Sequence, residues 1–172
     1  MLHLLGIFFI IGGMTGLGLH YLEKERQRIS IMEKWEYIIE LYISEITYKK
    51  QPLSMASIEI GKKVSGPEGE ILVSIGEKAG NGLEDSFSEV WKKEWKKQLG
   101  NFSLRREEKS MILDFSAFTG FENEKVQRKL IETQQEKWKT LRERVQEESR
   151  EKKKVILLLS FSAGVLIVLL LL

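Results

Sequence analysis

The sequence predicts an all-α protein, a cytoplasmic bundle of about six helices flanked by two transmembrane helices. Three observations carry this prediction. Every Asp, Glu, Lys and Arg lies between Glu23 and Lys154, so both ends lack charged side chains other than histidine. Between those ends, apolar residues recur at three- and four-residue steps, with no sustained period-two alternation. Only two prolines occur, and the predicted breaks between helices are short. The expected divisions are a membrane helix over 1–22, a bundle over 23–145, a polar helical stalk over 146–154 and a second membrane helix over 155–172.

The C-terminal stretch 155–172 is uncharged and almost wholly aliphatic. As a helix it is about 27 Å long, close to the hydrocarbon thickness of a bilayer, about 30 Å. Lys152, Lys153 and Lys154 precede it directly. Basic residues flanking a span stay on the cytoplasmic side, so the chain before this span is expected there. The N-terminal stretch 2–22 is also long enough to span. No Lys or Arg precedes it, as a secretory signal peptide would have, whereas Lys24, Arg26 and Arg28 follow it. Both flanks therefore put residues 24–154 in the cytoplasm and both termini outside. Gly12 and Gly16 form a small-xxx-small pair suited to close helix packing, with Ala163 and Gly164 as possible facing residues in the second span.

The first helix of the bundle is expected over 23–50, with a buried stripe of Ile31 or Met32, Trp35, Ile38 or Ile39, Tyr42 and Ile46. Pro52 ends it or opens the next helix. The second helix, 53–64, aligns Leu53, Ala56, Ile60 and Val64, and Ser65-Gly66-Pro67 punctuates it. The third, 68–80, carries Ile71, Leu72 and Ile75, and Gly80-Asn81-Gly82 breaks the pattern. The fourth, 83–99, begins at Leu83 and includes Trp91 and Trp95 among lysines. That run has the composition of a basic aromatic patch for nucleic acid or lipid. The four-residue spacing of the two Trp instead favours one buried face with lysines on the solvated side. The fifth helix, 104–118, places Leu104, Met111, Ile112, Phe115 and Phe118 together, and Thr119-Gly120 closes it. The last begins near Glu122, with Val126, Leu130 or Ile131, Trp138, Leu141 and Val145 inward, and runs on toward the membrane.

The chain offers little chemistry. It has no cysteine, which excludes disulfides and thiol catalysis. His3 and His20 are its two histidines, and both lie in the first apolar stretch, too far apart to share a metal. Gly61-Lys62-Lys63 lacks the earlier glycine and the hydroxyl of a phosphate-binding loop. Glutamates such as Glu143, Glu147 and Glu148 alternate with basic residues, the pattern of surface ion pairs. The apolar stretches carry no charge of the kind transport requires. The reading is a non-enzymatic interaction protein with no metal, cofactor, small-molecule substrate or nucleic acid.

Several motifs in fixed order resemble the stage III sporulation protein AB family of spore-forming bacteria. They are Met1-Leu2 before a Gly-rich stretch, Tyr48, Pro52-Leu53-x-x-Ala56, Gly66-Pro67, Gly82-Leu83, Trp91, Leu113, Phe115, Gly120, Gln127 and the apolar terminus. The sequence departs from the family pattern at Phe121-Glu122, where a small residue and an aspartate are expected. The family is in turn similar to cytoplasmic helical domains of the platform proteins of type II secretion and type IV pilus systems. Pro52-Leu53 and Gly82-Leu83 look like helix-starting positions of that domain. The resemblance implies a platform or assembly subunit in the channel between mother cell and forespore. It would sit in the mother-cell membrane and meet a secretion-type ATPase and other membrane subunits. The competing reading from the residues alone is a membrane-tethered regulatory or signalling protein unrelated to export. The motif turns themselves are the places where Gly and Pro serve the backbone.

Overall fold

The computed structural model describes the backbone of residues 2–81, 86–118 and 124–171, and the side chains there except at 2–5, 7–11, 118, 124, 170 and 171. Gly82, Leu83, Gly120 and the Phe121-Glu122 turn lie outside the described residues. All regular structure among the described residues is helical. The order is α1 (Leu2–Ser44), a π-helical turn (Glu45–Lys49), α2 (Leu53–Lys63), α3 (Pro67–Gly80), α4 (Phe87–Gln98), a 3-10 turn (Leu99–Asn101), α5 (Arg106–Asp114), a second 3-10 turn (Phe115–Phe118) and α6 (Glu124–Leu171).

The first bundle helix does not begin near residue 23. It is the continuation of α1, one helix of 43 residues. Nothing between Leu22 and Glu23 breaks a helix, and the glycines before them each cost only about 1 kcal/mol in a helix interior. The predicted stripe is buried: Met32, Trp35, Ile38, Ile39, Tyr42 and Ile46 are all at most 5% exposed. The end of α1 widens into the π-helical turn, and Lys50 closes it in the left-handed region at φ 51°. Its N–H donates to the Glu45 carbonyl at 3.1 Å.

Pro52 then occupies the N-cap of α2, and its carbonyl accepts from the Ala56 N–H at 2.9 Å. Gly66 caps α3 at φ 93°, a conformation that suits glycine, and Pro67 takes the first turn, where its missing N–H costs nothing. The described part of α4 starts at Phe87, behind a capping box. The Ser86 hydroxyl accepts from the Glu89 N–H at 3.4 Å, and the Glu89 carboxylate accepts from the Ser86 N–H at 2.9 Å. The fifth helix is shorter than its apolar pattern. Phe102 and Leu104 are buried from the loop before it, and Phe115 from the 3-10 turn after it.

In α6 the inward face runs Gln127, Ile131, Trp138, Leu141 and Val145. Val126, expected on that face, is 45% exposed. It stands five residues before Ile131, which places it across the helix from the stripe, and Gln127 points inward instead.

The chain divides into two compact units, Ile31–Leu141 and a second formed by Met1–Ser30 with Arg142–Leu172. α1 and α6 contribute to both. In the first unit the core is an aromatic cluster around Trp35. Its ring centroid lies 5.9 Å from Trp91, 5.2 Å from Trp95, 5.8 Å from Phe115 and 6.1 Å from Trp138. Two indoles also satisfy their N–H groups on backbone. Trp138 donates to the Met32 carbonyl at 2.9 Å, and Trp91 to the Ile112 carbonyl at 2.8 Å. The Tyr42 hydroxyl pairs with Ser57 at 2.6 Å, tying α1 to α2.

In the other unit, Gly18 of α1 faces Ser160 and Ile156 of α6. A Cβ at Gly18 would strike the Ser160 hydroxyl, whereas a Cβ at Gly12 or Gly16 would meet nothing within 4 Å. Among the described glycines of α1, the close approach to α6 falls at Gly18, two residues after Gly16 and six after Gly12. Arg28 is 5% exposed here and pairs with Glu25 at 3.1 Å. Among the described residues, no helix is long and apolar enough to cross a membrane. The described side chains of the last apolar stretch end at residue 169.

Candidate interaction surface

The α2–α3 hairpin carries the motif positions Pro52, Leu53, Ala56, Gly66 and Pro67. Ala56 and Ile60 are fully buried beneath it, and Leu53 is half-buried. The two helices pack backbone against backbone because glycines face each other. A Cβ on Gly61 would lie 2.6 Å from the Gly69 carbonyl oxygen, and one on Gly69 would lie 2.7 Å from the Gly61 oxygen. A Cβ on Gly76 would collide with the Ser54 carbonyl. These contacts leave an open groove of about 370 Å³ along the outside of the hairpin. Gly61, Gly69 and Val73 form its floor, and Glu70, Ser74 and Glu77 its edge.

Three buried carboxylates join the hairpin to its neighbours: Glu68 of α3, 4% exposed, which accepts from Lys34 of α1 at 3.0 Å, and Glu45 and Glu94. Glu45, 2% exposed, accepts from Lys63 of α2 at 2.9 Å, from Lys49 at 3.0 Å and from Gln51 at 2.6 Å. Burial pushes its pKa up, but the bonds from Lys63, Lys49 and Gln51 outweigh this and hold it below the usual carboxylate value. Glu94, 8% exposed, links α4 to α3. It accepts from Lys78 at 2.7 Å, from Lys97 at 2.6 Å and from the Ser74 hydroxyl at 3.3 Å. Desolvation again opposes the charge, and Lys78 and Lys97 overcome it, lowering the pKa to about 2. Glu45 and Glu94 act as ionised clamps between helices. Proton transfer would need a pKa nearer neutrality.

Trp91 is fully buried and Trp95 is 1% exposed, while Lys92, Lys93, Lys96 and Lys97 are exposed. The aromatic residues of α4 therefore belong to the core, and its solvated face is a lysine surface. Among the described residues, no group of three or more His, Asp or Glu is placed to hold a metal ion.

The structure brings Pro52, Leu53, Ala56, Gly66 and Pro67 together at the two ends of α2 and at the start of α3. Trp91 sits in the core instead. Gly12 and Gly16, and the basic residues Lys24, Arg26, Lys152, Lys153 and Lys154, are exposed in the other unit. Sequence reasoning missed Gly69 and Gly76, whose seven-residue spacing repeats one helix face, and the Ser86-x-x-Glu89 capping box. Glu45 and Glu94 gave no signal, since each reads as one more charge on a charged helix.

Comparison with known proteins bears on the family and the fold. The family model described as stage III sporulation protein AB matches residues 3–172. A protein of that name from Bacillus subtilis (strain 168) is 26% identical over 172 residues, covering all of both chains. A solved structure of a stage III sporulation protein AB has the same fold, with a TM-score of 0.65 at 20% identity. It covers 72% of this chain and 97% of that one. The chain belongs to the stage III sporulation protein AB family, a family of sporulation proteins.

Proposed function

We propose that the chain is a non-enzymatic platform subunit of a sporulation export channel, held in the mother-cell membrane by both ends. The unit Ile31–Leu141 lies on the cytoplasmic side and contacts a secretion-type ATPase. The observation that carries the reading is the outer surface of the other unit. There Leu17, Leu158 and Leu169 are 67%, 68% and 69% exposed, and Phe161 is 55% exposed. Apolar side chains turned outward along helix segments that hold no charge fit lipid better than water. Lys24, Arg26 and Lys152 to Lys154 follow or precede these stretches, which supports both termini outside. The core supports the remainder: its polar groups serve packing and interhelical clamps, as a rigid body that transmits contact requires.

The test has two parts. Alkaline carbonate leaves an integral membrane protein in the pellet, and release of the full-length chain would refute the anchors. The chain in nanodiscs is then titrated by calorimetry with the secretion-type ATPase of the same organism. Saturable binding supports the platform reading. Absence of binding to a competent ATPase favours a tethered regulatory protein.

A further inference from the structure

The outer surface of α3 and α4 carries two adjacent stripes of opposite sign. On α3, Glu70 and Glu77 are seven residues apart, share one face and are exposed at the edge of the groove. On α4, Lys92, Lys93, Lys96 and Lys97 are exposed, whereas Val90, Trp91 and Trp95 are buried. The stripes meet at Glu94. Ser74, beside the two glutamates, donates to it at 3.3 Å, and Lys78 and Lys97 bond it at 2.7 and 2.6 Å. That junction is neutralised. Among the described residues Glu70, Glu77 and Lys96 form no ion pair, although each is exposed.

A partner of uniform charge would match one stripe and be repelled by the other. A second copy of the same surface, turned by a two-fold rotation, lays acid on base and base on acid at once. We propose that the α3–α4 face is an isologous interface at which two copies of this chain associate. Glu70 and Glu77 of each copy face the α4 lysines of the other. The groove on α2 and α3 leaves room for the long lysine side chains, whose aliphatic stems lie on its glycine and valine floor. This association is independent of any ATPase contact and is tested without one.

The experiment measures the dimer dissociation constant of the full-length chain in detergent by sedimentation velocity. The wild type dimerises, and dimerisation weakens as salt rises from about 0.05 to about 1 M, because these charges are solvent-exposed. E70K/E77K gives two basic stripes and K92E/K93E/K96E, which leaves Lys97 on Glu94, two acidic ones, and each alone weakens self-association by more than about tenfold. Mixed together, the two variants form a heterodimer, since each then supplies the sign the other lacks. A wild type that stays monomeric overturns the proposal. So does a dimer indifferent to both reversals, which would place association in the apolar helices or elsewhere. Should a variant lose helicity by circular dichroism, the wild-type salt series decides, and a salt-independent dimer overturns the proposal.

Discussion

Replacing Glu94 by Gln keeps the shape of the side chain and removes the charge that clamps α4 to α3. The folded pKa of about 2 lies some way below the ordinary 4.5. At about 1.4 kcal/mol per unit, that difference corresponds to roughly 3 kcal/mol of stabilisation at neutral pH. Lys78 and Lys97 are 51% and 53% exposed, so solvent screens part of it and about 2 kcal/mol is the working figure. The contribution is complete above about pH 5 and is lost as pH falls toward about 2, because the folded pKa lies below the unfolded one. The assay is denaturant unfolding of wild type and E94Q, followed by the fluorescence of the core tryptophans. The expected gap is about 2 kcal/mol near pH 7 and less than about half of that near pH 3. A gap of the same size at both pH values, or no gap near pH 7, would refute the argument that paired charge holds α3 to α4.

Other perturbations separate the remaining contributions by thermal melting. Gly69→Ala drives a Cβ into the Val64 and Gly61 carbonyls and should cost about 2–3 kcal/mol, whereas Gly100→Ala meets nothing within 4 Å and should be close to neutral. Gly66→Ala must hold φ 93° with a side chain, at a cost of about 1–2 kcal/mol. Trp35→Ala empties the centre of the aromatic cluster and should lose about 3–5 kcal/mol. Ser86→Ala removes the N-cap of α4, and a loss of about 1 kcal/mol is expected.

Much of this chain could be read from period and punctuation. A buried helix shows a stripe at 3.6 residues, so Trp35, Tyr42, Ile60, Leu72 and Trp91 were legible as core. Gly66-Pro67 and Pro52 were legible as turns because few other residues fit those backbone positions. The stripe misled at Val126, whose four-residue step to Leu130 fits a helical face, whereas the buried face runs through Gln127 and Ile131. It also overran α5, because Leu104 and Phe115 are buried from irregular segments that a helical period cannot distinguish from helix.

The sequence by itself determined the all-helical class, the separation of uncharged ends from a charged middle, and the division of α4 into Trp and Lys faces. Each of these follows from local spacing and side-chain chemistry. Only the tertiary structure decided which glycines serve close packing. Gly61, Gly69 and Gly76 matter because another helix's backbone lies against them, while among the described residues a Cβ at Gly12 or Gly16 would meet nothing within 4 Å. Only the tertiary structure likewise decided that Glu45 and Glu94, among many similar glutamates, are buried clamps. A carboxylate's role depends on which cations from distant parts of the chain come within hydrogen-bonding distance, and no local pattern records that.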